Sequence, residues 1–308
     1  MPALSTRFSS AAVSRLALLN AIANGVIVVT GGAVRLTGSG LGCPTWPRCT
    51  TKSLVPTHEL AVHGLIEFSN RTLTFVLTVA AVAVLVGVYR SVRRDLRPLA
   101  LASFLGIPAQ ALLGGLTVLT KLNPWLVACH FLLSMVLVGV ATTLWLRSRE
   151  PGVGHALINP VFRGLVAGVT GAVAAVLLVG TVVTGSGPHA GDAHAKRTGL
   201  NPGQVAQLHA DLVFLLVGLT AAMLVALYAT DTPDRVRRAV RDLLVVELAQ
   251  GLIGFVQYFT QLPIALVLAH MAGAVLITAY TARLLWSVRG PSSEVPLDDT
   301  TEAAALAS

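Results

Sequence analysis

The sequence has 308 residues, 54% of them hydrophobic and 12% charged, and its mean hydropathy is +0.75. That composition excludes a soluble domain: apolar runs of about 20 residues are the length a bilayer-spanning helix needs, and segments such as TVAAVAVLVGVY and AVAAVLLVGTVV carry no polar stripe. The net charge of +8 orients the chain in lipid and does not point to nucleic acid, since 15 of the 22 Lys and Arg residues fall on one set of alternate loops, the bias that marks cytoplasmic loops.

Eight spans follow in chain order, near 13–33, 65–89, 98–119, 126–147, 162–184, 204–229, 240–259 and 264–286. The first reads as a retained helix and not a cleaved signal peptide, because an even number of spans with both termini cytoplasmic fits every loop. The outward loop 34–64 holds GCPTWPRC, in which five residues separate Cys43 from Cys49. An extracytoplasmic compartment permits a disulfide between them, either redox-labile in so short a loop or a structural staple. The second span opens on IEFSNRTL, with Glu67, Asn70 and Arg71 where hydrocarbon should begin. Glu67 and Arg71 are spaced as an i,i+4 ion pair, a role compatible with acid–base chemistry. His63, four residues earlier, shares that helical face.

Arg90, Arg93, Arg94 and Arg97 fill the next, cytoplasmic loop. Near the start of the fourth span stand His130 and Cys129, the latter expected to be a buried, inert thiol. Arg147, Arg149 and Arg163 flank a second cytoplasmic loop, whose His155 reads as structural or neutral. His58, His189 and His194 belong to outer loops and read as solvated. The sixth and eighth spans carry His209 and His270, and Arg235, Arg237, Arg238 and Arg241 precede the seventh. The tail after Gly290 is polar, acidic and rich in Ala and Ser, a composition that predicts disorder.

The chain repeats itself. AQALLGGLTVLTKLNPWLVACH and AQGLIGFVQYFTQLPIALVLAH align at an offset of 140, pairing Gln110 with Gln250, Gly114 with Gly254 and His130 with His270. NRTLTF at 70–75 lies over HADLVF at 209–214, and VVTG recurs at 28–31 and 182–185. The predicted fold is therefore an all-α polytopic membrane protein built as two parallel, pseudo-symmetric four-helix bundles. Residues 1–147 form the first, 148–289 the second and 290–308 a cytoplasmic tail.

His130, His209, His270 and Asn70 occupy matching places near the outer ends of the even-numbered spans. At 1.5 Å per residue such positions lie roughly 7 Å below the outer boundary. Intramembrane ionisable residues default to function, and two His at one depth on two helices suit axial ligation of a heme iron. Interhelical hydrogen bonding is the bland alternative, and zinc lacks further ligands in the pattern. The halves are unequal. Glu67 and Arg71 correspond to Ala206 and Ala210, and Asn70 to His209. The second half reads as a six-coordinate electron-transfer site, the first as a reaction site with a freer metal or substrate position.

The motifs RLTGSGLGCPTWPRC, IEFSNR and TGSGPHAGD, with the paired AQ…H segments, resemble the heme A synthase family over residues 14–286. The resemblance implies an enzyme of the cell membrane that oxidises a methyl group of heme O to the formyl group of heme A, through a geminal diol that dehydrates. It implies a heme b cofactor held by His209 and His270, and a substrate heme in the first half at His130. It also implies Glu67 and Arg71 as catalytic residues, a heme O synthase as donor and terminal oxidase assembly as acceptor. The family carries a His where this chain has Asn70, and amide is a poor iron ligand beside imidazole. His130 as sole protein ligand is the preferred reading, over substitution by His63 or a dispensable ligand. A non-enzymatic membrane cytochrome b or heme carrier is the second reading. A transporter ranks last, because the bilayer midplane looks nearly free of charge.

Overall fold

The computed structural model describes residues 8–150 and 156–290; His155 and the tail after Gly290 lie outside them. The described chain is helical: α1 (Ser10–Leu36), α2 (Ala61–Tyr89), α3 (Arg97–Leu119), α4 (Pro124–Arg149), α5 (Pro160–Ser186), α6 (Pro202–Tyr228), α7 (Asp234–Phe259) and α8 (Ile264–Ser287). Most helices run a few residues past the predicted apolar spans, because polar end residues continue the backbone ladder beyond the apolar stretch. Asn-Pro pairs start three of them. Asn123, Asn159 and Asn201 accept backbone N–H bonds at the first turns of α4, α5 and α6, and the following prolines need no donor there.

Seven of the eight helices are long and apolar enough to cross a membrane. The eighth, α7, falls outside that group. Arg and Asp residues crowd its first turns, and Glu247, Gln250 and Gln257 interrupt the rest.

α1 packs on α2 and α4, and α3 on α2 and α4; likewise α5 packs on α6 and α8, and α7 on α6 and α8. The two sets meet through α4 against α8, α1 against α8 and α4 against α5. Val28, Met135 and Val138, with Leu177 and Val275 against them, form the apolar seam there.

The repeat also shows in the backbone. The α3–α4 turn places Lys121 and Leu122 at φ 53° and 59°, and the α7–α8 turn places Gln261 and Leu262 at φ 62° and 59°. Left-handed geometry costs a non-glycine residue about 1–2 kcal/mol. It is held at both turns by the same pair of bonds that closes a helix end. The Leu122 N–H donates to the Thr117 carbonyl and the Leu262 N–H to the Gln257 carbonyl, both at 2.7 Å.

Arg35 at the end of α1 donates to the carbonyls of His189 (2.7 Å) and Thr184 (3.1 Å), joining α1 to the end of α5 and the loop that follows it. His189 in turn bonds the Leu262 carbonyl through Nε2 at 3.0 Å and is not merely solvated. Cys129 is exposed on the surface of α4, which corrects the expected burial. Which face of a helix meets lipid depends on its rotation against neighbours, and the apolar character of a thiol does not report that.

Candidate functional site

Each of the three intramembrane histidines lies against a glycine of the preceding helix. A Cβ added at Gly114 would stand 3.1 Å from His130 Cε1, one at Gly180 3.1 Å from His209 Cε1, and one at Gly254 3.3 Å from His270 Cε1. Only a residue without a side chain lets an imidazole lie this close to the helix. Gln110 and Gln250 fix the partner helices, donating from Nε2 to the carbonyls of His130 (3.1 Å) and His270 (2.6 Å). The Nδ1 atoms of all three rings are buried without a hydrogen-bond partner of good geometry.

The His209 and His270 rings face one another across α6 and α8, centroids 6.4 Å apart and planes crossing at 69°. Two imidazoles on one metal, with metal–nitrogen bonds of about 2 Å and roughly 1 Å more to each ring centre, stand about 6 Å apart. Among the described residues no three His, Cys, Asp or Glu side chains gather as a metal cage. The spacing of the two rings is compatible with a metal whose remaining ligands are supplied by a group such as a porphyrin.

The first half differs at the matching place. Asn70 Oδ1 accepts from Thr30 Oγ1 at 2.7 Å, and its amide nitrogen lies 3.8 Å from a Cβ position on Gly31. In the register that aligns the two VVTG motifs, Gly180 corresponds to Val26. The first half thus lacks both the imidazole at the Asn70 position and the glycine beneath it. His63, at the start of α2, is exposed, and its Nδ1 bonds Ser39 Oγ at 2.9 Å.

Above this half lies the Cys43–Cys49 loop, closed by the expected disulfide. Glu67, 6% exposed, accepts from the Cys43 N–H at Oε2 (2.6 Å) and from Arg71 Nε (3.1 Å) and Nη2 (2.5 Å) at Oε1. Arg71 also donates to the carbonyls of Cys43 (3.0 Å), Thr45 (3.1 Å) and Arg48 (3.5 Å). All five guanidinium N–H groups are spent on Glu67 and the loop, which leaves none for a substrate propionate while the loop is docked.

Trp46 gives the loop a second anchor. Its ring occupies the space a side chain at Gly115 would fill, one residue from the glycine under His130. Sequence reading missed Trp46, although the glycine pair at 114–115 was its signal. Gly115→Val is expected to overpack this contact by about 1–3 kcal/mol. Thiol labelling after mild reduction should then proceed about tenfold faster at Cys43 and Cys49 than in the unmodified protein.

Residues 14–282 match the COX15-CtaA family, described as cytochrome oxidase assembly proteins. The chain belongs to the COX15-CtaA family. Among curated relatives, the heme A synthase of Listeria welshimeri is 34% identical over 122 residues, covering 39% of this chain and 40% of the relative. That of Lysinibacillus sphaericus is 35% identical over 115 residues, 36% and 37% of the two chains. That of Alkalihalophilus pseudofirmus is 28% identical over 142 residues, 45% and 47%. The chain thus spans less than half the length of the curated relatives it matches. Membership in the COX15-CtaA family agrees with a multi-pass helical chain.

Proposed function

We propose that this protein is a heme A synthase, acting on heme O supplied by a heme O synthase and passing heme A to terminal oxidase assembly. The observation that carries the reading is the asymmetry of the repeat: two imidazoles 6.4 Å apart in one half, a single imidazole beneath a docked disulfide loop in the other. The helix contacts support two four-helix bundles, residues 1–147 and 148–289. The Arg-rich ends support both termini in the cytoplasm, with the ligand-bearing ends near the extracytoplasmic face.

In this reading His209 and His270 hold heme b, which supplies one-electron transfer when bound. His130 would bind the substrate heme, while the Asn70 amide oxygen is taken up by Thr30. Glu67 holds or releases a proton at its carboxylate near the reacting methyl, and Arg71 positions it. Trp46 and the loop keep bulk water from the outer end.

Purified protein from cells that make heme O is expected to carry heme b together with heme O or heme A, seen by extraction and mass analysis. Unmodified heme alone, with no conversion of added heme O, would support the carrier reading instead.

A further inference from the structure

Glu247 lies near the middle of α7, thirteen residues from the helix start and twelve from its end, and is 2% exposed. Oε1 accepts from Thr220 Oγ1 of α6 at 3.0 Å, and Oε2 is buried with no partner. The middle of α7 thus carries one buried ionisable group that the sequence reading did not single out.

The repeat supplies an internal control. Leu216, Thr220 and Glu247 correspond, at offsets of 139, 139 and 140, to Leu77, Ala81 and Ile107. In the first half those three pack together as one small apolar cluster. The fold thus builds this layer without a polar atom, and the second half alone departs from that. A buried carboxylate with an unused oxygen is costly unless function retains it.

The surroundings restrict what Glu247 can answer to. From α6 it meets Thr220, with Leu216 and Met223 in the adjoining core. From α8 that core receives Ile277 and the Tyr280 ring. Asp242, five residues earlier on α7, is closed in ion pairs with Arg241 and Arg283, both at 2.7 Å. In the other direction Gly254, against which His270 rests, is two turns away, about 10 Å along the helix.

We propose that Glu247 is a redox-linked protonation site for the heme between His209 and His270, a role that rests on the reading of that pair as heme ligands. With neutral imidazoles the ferric iron–porphyrin core would carry one unit of positive charge more than the ferrous core, which supports the Glu247 carboxylate. When a one-electron donor reduces the iron from ferric to ferrous, that charge is lost. Glu247 then takes one proton from water and becomes a neutral acid; oxidation returns the electron and releases the proton. For two groups about 10 Å apart at an effective dielectric of about 20, one unit charge alters the proton affinity of the other by roughly tenfold.

The test is a mediated potentiometric titration of the detergent-purified, heme-loaded full chain across neutral pH. The midpoint potential of the unmodified protein is expected to fall with rising pH by about 59 mV in total, the one-electron equivalent of that tenfold change. Glu247→Gln should remove the fall. The double variant Thr220→Ala/Glu247→Ile, which transplants the apolar pair of the first half, should remove it too and guards against a folding defect in the single variant. The reduced-minus-oxidised infrared spectrum should lose a carboxylic C=O band that shifts in heavy water. An identical pH dependence and infrared band in all three proteins would overturn the assignment. A preparation in which His209 and His270 hold no heme would instead overturn the reading beneath it.

Discussion

Replacing His209 or His270 by alanine is expected to remove the low-spin optical signature of the second-half heme and to lower heme A formation by about 100-fold or more. Changes to groups that merely orient metal ligands already weaken such sites by about 10–100-fold. The glycines predict a graded version of the same result. Valine at Gly180 or Gly254 introduces a Cβ 3.1 or 3.3 Å from a ring carbon, closer than packed carbons approach without a shift. Either variant should broaden or weaken the same absorption without touching a ligand. His130→Ala should leave that spectrum in place and remove the pigment bound by the first half. A double His209→Ala/His270→Ala protein that keeps a normal low-spin spectrum would show that the pair at 6.4 Å holds no heme.

The setting of the paired histidines was legible in the sequence because it is periodic. Gln110 and Gln250, Gly114 and Gly254, and His130 and His270 recur at one offset, and the structure places each Gly under its His and each Gln on the carbonyl of that His. What stayed hidden is not periodic. Trp46 reaches Gly115 across some seventy residues, and no local pattern records that contact. Glu247 is conspicuous only when set against Ile107, so an alignment that follows shared residues passes over it. Cys129 and His130 are neighbours in sequence, yet the 100° step of a helix leaves one exposed and sets the other against Gly114.

Glu67 is where the structure changes the question most, and a pair of substitutions answers it. The carboxylate has two tasks on the page: it receives the Cys43 N–H, and it balances Arg71, which in turn grips three loop carbonyls. Glu67→Ala ends both. Breaking a buried ion pair on one side costs about 3–5 kcal/mol, and less here because the Arg71 side chain is 22% exposed. The loop should lift, and the Cys43–Cys49 bond should become readily reducible. Glu67→Gln keeps one acceptor, for the Cys43 N–H, but loses the charge that balances Arg71 and cannot cycle a proton. It is expected to hold the loop more firmly than Ala and to leave the His209–His270 heme spectrum unchanged, while conversion of heme O falls roughly 100-fold or more, the scale of a lost general acid or base. Ala and Gln should therefore agree in turnover and differ in disulfide protection. If the Gln protein converts heme O at the full rate with its loop docked, Glu67 is a strut for the loop and the proton belongs to another group. The strut alone would still account for its burial, since an unbalanced Arg71 at that depth would otherwise have to be solvated by water drawn in beside the His130 site.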